Sequence, residues 1–120
     1  MYTLHLQIPW VPTSLNKGLR SHWGKRHKEN IAWANYISAE SVRKKPAAPL
    51  QKAKLTIVRH SHRSLDFDGL VGSLKPVVDA LIFSGIIADD SWSVVGAWTV
   101  EQYFRKKVDG PLLDIIVEEI

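Results

Sequence analysis

The chain has 120 residues, 45% hydrophobic and 23% charged, with a net charge of +4 and no cysteine. That is one domain's worth of ordinary globular sequence, residues 1–120, and a chain this short buries only about two-thirds of its surface, so a surface site is expected rather than a deep cavity. The lack of cysteine excludes disulfides and thiolate metal sites, which leaves carboxylates, imidazoles and backbone oxygens for any metal.

The charge is unevenly spread. Residues 1–63 carry 12 Lys and Arg against Glu29 and Glu40, a net +10, whereas residues 64–120 carry four Lys and Arg against ten acids, a net −6. The basic half suits a polyanion partner, although a solvated basic face has the same composition. No apolar stretch approaches the ~20 residues that span a bilayer. Met1-Tyr2-Thr3-Leu4-His5 lacks a basic segment followed by an apolar run, so no signal peptide, no membrane contact and a cytoplasmic address are expected.

Residues 2–9 alternate, with Tyr2, Leu4, Leu6 and Ile8 on one face, and predict a half-buried strand ended by Pro9 and Pro12. Residues 11–23 are rich in turn formers and predict a loop. Residues 24–44 predict a helix through the stripe Ile31, Ala32, Ala34, Tyr36, Ile37, Ala39 and Val42, with Arg43, Lys44 and Lys45 at its C-terminal end and Pro46 and Pro49 beyond. Residues 52–62 predict a second strand with Ala53, Leu55 and Ile57 inward. Residues 68–84 predict a helix capped by Gly85 and kinked or started late at Pro76. Two strands follow, 93–104 and 111–118, joined through Asp109-Gly110, a hairpin signal. The order β-α-β-α-β-β places the chain in the α+β class.

Five of the 12 acids fall between residues 66 and 90: Asp66, Asp68, Asp79, Asp89 and Asp90. On an extended segment Asp66 and Asp68 point the same way, and such a pair favours a hard cation between its oxygens. The same residues also read as a helix N-cap and a turn acid. At about 100° per helical residue, Asp68, Lys75 and Asp79 share a face. Lys75 is the only cation between Arg63 and Arg105, placed to stabilise charge on a phosphate; as an i,i+4 neighbour of Asp79 it also reads as a surface ion pair. Asp89 and Asp90 lie in the loop before the third strand, either returning to the first two acids or closing a solvated turn. His60 and His62 alternate, but two imidazoles alone make a weak metal signal.

Taken together, Asp66-Phe67-Asp68-Gly69-Leu70, Leu74-Lys75, Asp79-Ala80-Leu81, Gly85 and Asp89-Asp90 resemble the RusA-like Holliday junction resolvase family. Ile8-Pro9-Trp10-Val11-Pro12-Thr13-Ser14-Leu15-Asn16 resembles that family's opening strand and P-x-S-x-N loop, so the likeness spans nearly the whole chain. It departs from the family by about three added residues between D-x-D and the lysine, and by Leu65 where a basic residue is common. The resemblance implies a mixed sheet with helices packed against it. It implies metal-binding catalytic carboxylates at Asp66, Asp68 and Asp90, a catalytic lysine at Lys75, and Mg²⁺ or Mn²⁺ as cofactor. It further implies a homodimer that nicks four-way DNA junctions symmetrically.

Lys17, Arg20, His22, Lys25, Arg26 and Lys28 crowd the loop and helix start and are the expected DNA-binding residues. Trp10 and Trp23 read as base-stacking or as core aromatics. A two-fold junction suits a C2 dimer, for which residues 93–104, with Trp92 and Trp98, offer an apolar surface. Two rival readings are a DNA-binding protein of the same fold that does not cut, and a metal-dependent nucleotide phosphohydrolase.

Overall fold

A computed structural model describes residues 1–12 and 23–120, and shows an α+β arrangement in which helices cover one face of a four-stranded mixed sheet. In chain order the elements are β1 (Thr3–Ile8), α1 (Trp23–Ser41), β2 (Ala53–Ser61), α2 (Phe67–Ser73), α3 (Lys75–Phe83), β3 (Val95–Phe104) and β4 (Leu112–Glu119). The sheet order is β1-β4-β2-β3. β4 runs antiparallel to both β1 and β2, while β2 and β3 are parallel. No helix among the described residues is long and apolar enough to cross a membrane.

Alternation decides which face is buried. Leu4, Leu6 and Ile8 of β1, Ala53, Leu55 and Ile57 of β2, and Leu113, Ile115 and Val117 of β4 all face the helices and are buried. The helices answer with Trp33 and Ile37 of α1 and Val77, Val78, Ala80 and Leu81 of α3. Between Ala53 and Lys54 the β2–β3 register shifts, with Gly96 as the extra residue on β3. The shift matters because a one-residue slip would turn every later side chain over. With it in place, Trp98, Val100 and Gln102 stand beside Leu55, Ile57 and Arg59 on the helix-facing side.

The buried line of α1 differs from the expected stripe. Trp33, Ile37 and Ser41, four residues apart, face the core, with Ala34 and Tyr36 beside them; Ile31 and Val42 are exposed. Trp33 takes the inward position because it stacks flat on Trp10, ring centroids 4.0 Å apart. Ser41 is tolerated inside because its hydroxyl donates to the Ile37 carbonyl at 2.7 Å. Arg43, Lys44 and Lys45 lie past the helix end.

The helix expected over 68–84 is two helices. α2 ends at Ser73, and α3 begins at Lys75 with Pro76 in its first turn, where a missing N–H costs nothing. At the far end, Gly85 has φ +77°; its N–H bonds the Ile82 carbonyl and that of Ile86 the Leu81 carbonyl. This is the left-handed glycine closure that the sequence predicts.

The expected β3–β4 hairpin does not form: β2 lies between the two strands. A tight Asp-Gly hairpin needs positive φ at both residues, and only Gly110 has it. Asp109 instead ends a short 3₁₀ turn, Lys107–Asp109. Arg105 pins this turn by donating to the carbonyls of Gly110 (2.8 Å) and Asp109 (3.2 Å).

The opposite sheet face carries a polar row. His5 of β1 and His60 of β2 hydrogen-bond the two oxygens of Asp114 of β4, at 3.0 and 2.9 Å. Burial pushes the Asp114 carboxyl up, but hydrogen bonds from His5, Gln7 and His60 outweigh it and leave the pKa below the ordinary value. A carboxyl depressed in this way stabilises the fold above its unfolded pKa, and that contribution is lost as pH falls through its folded value.

Two expectations follow. Trp33→Ala lowers the unfolding free energy by about 3–5 kcal/mol in denaturant titration. Asp114→Asn lowers it by about 1 kcal/mol at pH 7, and its deficit relative to wild type narrows as pH drops through the acid range.

Candidate active site

Parallel strands joined by a crossover present ligands at their carboxyl ends. Here that end is where β2 and β3 finish, and it is where Asp66 and Asp68 emerge. The segment leaving β2 is fastened there by a reciprocal pair: Leu65 N–H donates to the Gln102 side-chain oxygen at 3.0 Å, and the Gln102 amide donates to the Leu65 carbonyl at 2.7 Å. Asp66 follows at once as the N-cap of α2, its Oδ1 accepting the Gly69 N–H at 2.7 Å.

This cap corrects the extended reading of Asp66 and Asp68. Asp66 has extended backbone, but Phe67 and Asp68 already belong to α2, so strand alternation does not set their directions. Both carboxylates are exposed, and Asp68 in the first turn suits the positive end of the helix. The cap also explains the glycine of the motif: a Cβ at residue 69 would lie 2.5 Å from Asp66 Oδ1.

Lys75 opens α3 and is exposed. Its Nζ lies 3.4 Å from Asp79 Oδ2, so the i,i+4 ion pair forms. The break at Leu74 means that ideal helical spacing does not carry from Asp68 to Lys75.

Asp89 and Asp90 are exposed at the other end of the parallel pair. Their neighbours fix them there: Ala88 N–H bonds the Leu50 carbonyl, and Val94 and Val95 N–H bond that of Ser91, just before β3 begins beside Ala53. The backbone N–H of Asp90, then the Ser91 hydroxyl, hold the Asp89 carboxyl below its usual value. Val95 to Gln102 is roughly 23 Å along β3 at about 3.3 Å per residue, in a molecule whose longest extent is 36 Å. One chain thus brings Asp66 and Asp68 to one region but does not bring Asp90 to them. Among the described residues, no group of three His, Asp or Glu is set to hold a metal.

Of the expected DNA-binding residues, Lys28 is exposed on α1, where Lys25 and Arg26 also lie. Lys17, Arg20 and His22 lie outside the described residues, as do the side chains of Lys25, Arg26 and Trp23. Trp10 stacks on Trp33 and reads as a core aromatic. His60 Nε2 is engaged by Asp114, and His62 lines the cleft described next. Sequence reasoning missed a cleft of about 220 Å³ at this sheet end, lined by Arg59, Ser61, His62, Arg63, Gln102 and Phe104 among others. Arg59 at a core-face position of β2 was the available signal.

The shared use of space by Asp66 and Gly69 is testable. Gly69→Ala and Asp66→Ala should each cost about 1 kcal/mol in unfolding free energy through the lost cap. The double variant should cost clearly less than the two added together, because both remove one bond.

No family model matches the chain, and no curated protein matches it.

Proposed function

We propose that the chain is a divalent-metal-dependent endonuclease of the RusA-like kind, acting on branched DNA, with four-way junctions as its substrate. The observation that carries the reading is the exposed Asp66 and Asp68 pair at the carboxyl end of the parallel strands, next in sequence to a cleft with basic lining. The basic first half of the chain supports a polyanionic substrate, and Lys25, Arg26 and Lys28 of α1 supply phosphate contacts.

A divalent cation, Mg²⁺ or Mn²⁺, polarises a scissile phosphate and ionises water when bound. One chain does not fit a three-carboxylate site for it, because Asp90 lies at the wrong end. Two copies remove the conflict. β3 is an edge strand, and antiparallel pairing of two β3 edges about a two-fold axis sets the start of one strand beside the end of the other. Asp90 of one copy then approaches Asp66 and Asp68 of the other. Exposed Trp92 and Phe104, 74% and 76% accessible, flank this edge and provide apolar surface for the contact. Lys75 stays available to phosphate by exchanging its weak surface pairing with Asp79.

A second reading, a DNA-binding protein of the same fold that does not cut, is favoured by the structural uses of these groups: Asp66 caps α2 on the Gly69 N–H, and Lys75 pairs with Asp79.

Cleavage of a synthetic four-way junction and a matched linear duplex separates the two. Wild type with Mg²⁺ should nick the junction symmetrically, leaving 5′-phosphates and 3′-hydroxyls, and should fall silent in EDTA. Asp66→Asn and Asp68→Asn should each slow nicking at least about 100-fold. Binding without nicking at any divalent metal leaves the second reading. A mixture of Asp68→Asn and Asp90→Asn chains tests the shared site: exchange should restore one intact site per mixed dimer, hence single nicks, whereas sites within one chain would restore none.

A further inference from the structure

We infer that the cleft at the carboxyl ends of β2 and β3 is a phosphate-binding site centred on Arg59, with Arg63, His62 and the hydroxyls of Ser61 and Ser64 around it. Arg59 sits on the helix-facing side of β2, where every earlier residue in the row is apolar, and is only 6% exposed. A guanidinium has five N–H donors. Among the described residues, Nη1 donates to the Pro12 carbonyl at 3.2 Å, while the buried Nε meets no acceptor. Burial pulls the Arg59 pKa below its ordinary value, yet leaves it a cation at neutral pH.

A buried, underpaired cation is costly to keep unless an anion visits it. Among the described residues, the cleft lining contains no carboxylate. Its other polar groups are already engaged. Gln102 is spent on Leu65, and the Tyr103 hydroxyl donates to Glu101. What remains free to face a ligand is cationic or hydroxylic, since His62, Arg63 and Ser64 are all exposed. Arg63 N–H reaches Ser61 Oγ only weakly, at 3.4 Å.

Size limits the ligand. The cleft holds about 220 Å³, below the roughly 300–1,000 Å³ of sites for drug-sized molecules. One phosphate group fits that space and matches the planar guanidinium fork. It belongs either to a free phosphorylated molecule or to a nucleic-acid backbone. The site does not require that the chain cut DNA.

The test follows the Arg59 Nε–H and His62 ring signals by NMR while inorganic phosphate is added to the full chain in EDTA. Both signals should shift and saturate, and Arg59→Met, which keeps the stem's volume, should weaken binding at least about tenfold. If Arg59→Met does not fold, the exposed double substitution His62→Gln with Arg63→Gln serves in its place, with the same loss expected. Displacement of phosphate by a short single-stranded oligodeoxynucleotide identifies a backbone phosphate as the source; failure to displace it identifies a free phosphorylated molecule. Shifts that never saturate, or an unchanged affinity in the variant, overturn the site. Because no divalent metal is present, this outcome is independent of nicking: a chain that binds phosphate but cuts no junction keeps the site and loses the endonuclease reading.

Discussion

Two parallel strands can be joined only by a segment that travels back the full length of the sheet. β2 and β3 are such a pair, and α2 and α3 are that segment. Everything about the candidate site follows from this constraint. Residues just after β2 must emerge at one end of the molecule, and residues just before β3 must enter at the other. The acids that lie within 25 positions of one another in sequence are therefore divided by the fold, with Asp66 and Asp68 on one side and Asp89 and Asp90 on the other. β4 lies between β1 and β2, which leaves β3 at an edge with no second partner among the described residues.

The same placement creates the conditions for a cationic cleft. Core-facing positions along β2 are apolar through Ile57. Beyond it the row continues as Arg59 and Ser61, and the neighbouring strand continues as Gln102 and Phe104. Polar residues in these positions are costly within a core; here Arg59 and Ser61 are buried themselves but line a cleft whose rim residues, His62, Arg63 and Ser64, are exposed. The Leu65–Gln102 hydrogen bonds then fix the chain as it leaves the sheet, so the basic lining and the exposed carboxylates are held in sequence order at one rim.

Much of the fold was legible in the residues. Alternation in 2–9 and 52–62 marked strands and their inward faces correctly, because burial of one sheet face leaves a period-two trace. Gly85 and Pro76 marked a helix end and a helix break through backbone chemistry that depends on no neighbour. The errors arose where tertiary partners decide. Trp33 was overlooked because the stripe drawn through Ile31 and Val42 ignored the ring that Trp10 offers. Asp109-Gly110 has the composition of a hairpin, but the pairing of β2 with β4 is a long-range choice that a dipeptide does not encode. The site was half legible: acid type and spacing stood out, whereas the distance between Asp66 and Asp90 depends on strand direction, which the residues themselves do not state.

Asp66 combines a helix cap with an exposed negative charge on one side chain. One oxygen anchors the opening turn of α2, on a residue that is itself exposed. Replacing it with an apolar residue alters local order and surface charge together. A neutral amide at residue 66 would keep an acceptor for the Gly69 N–H while removing the charge, so the two properties can be varied one at a time by choice of side chain.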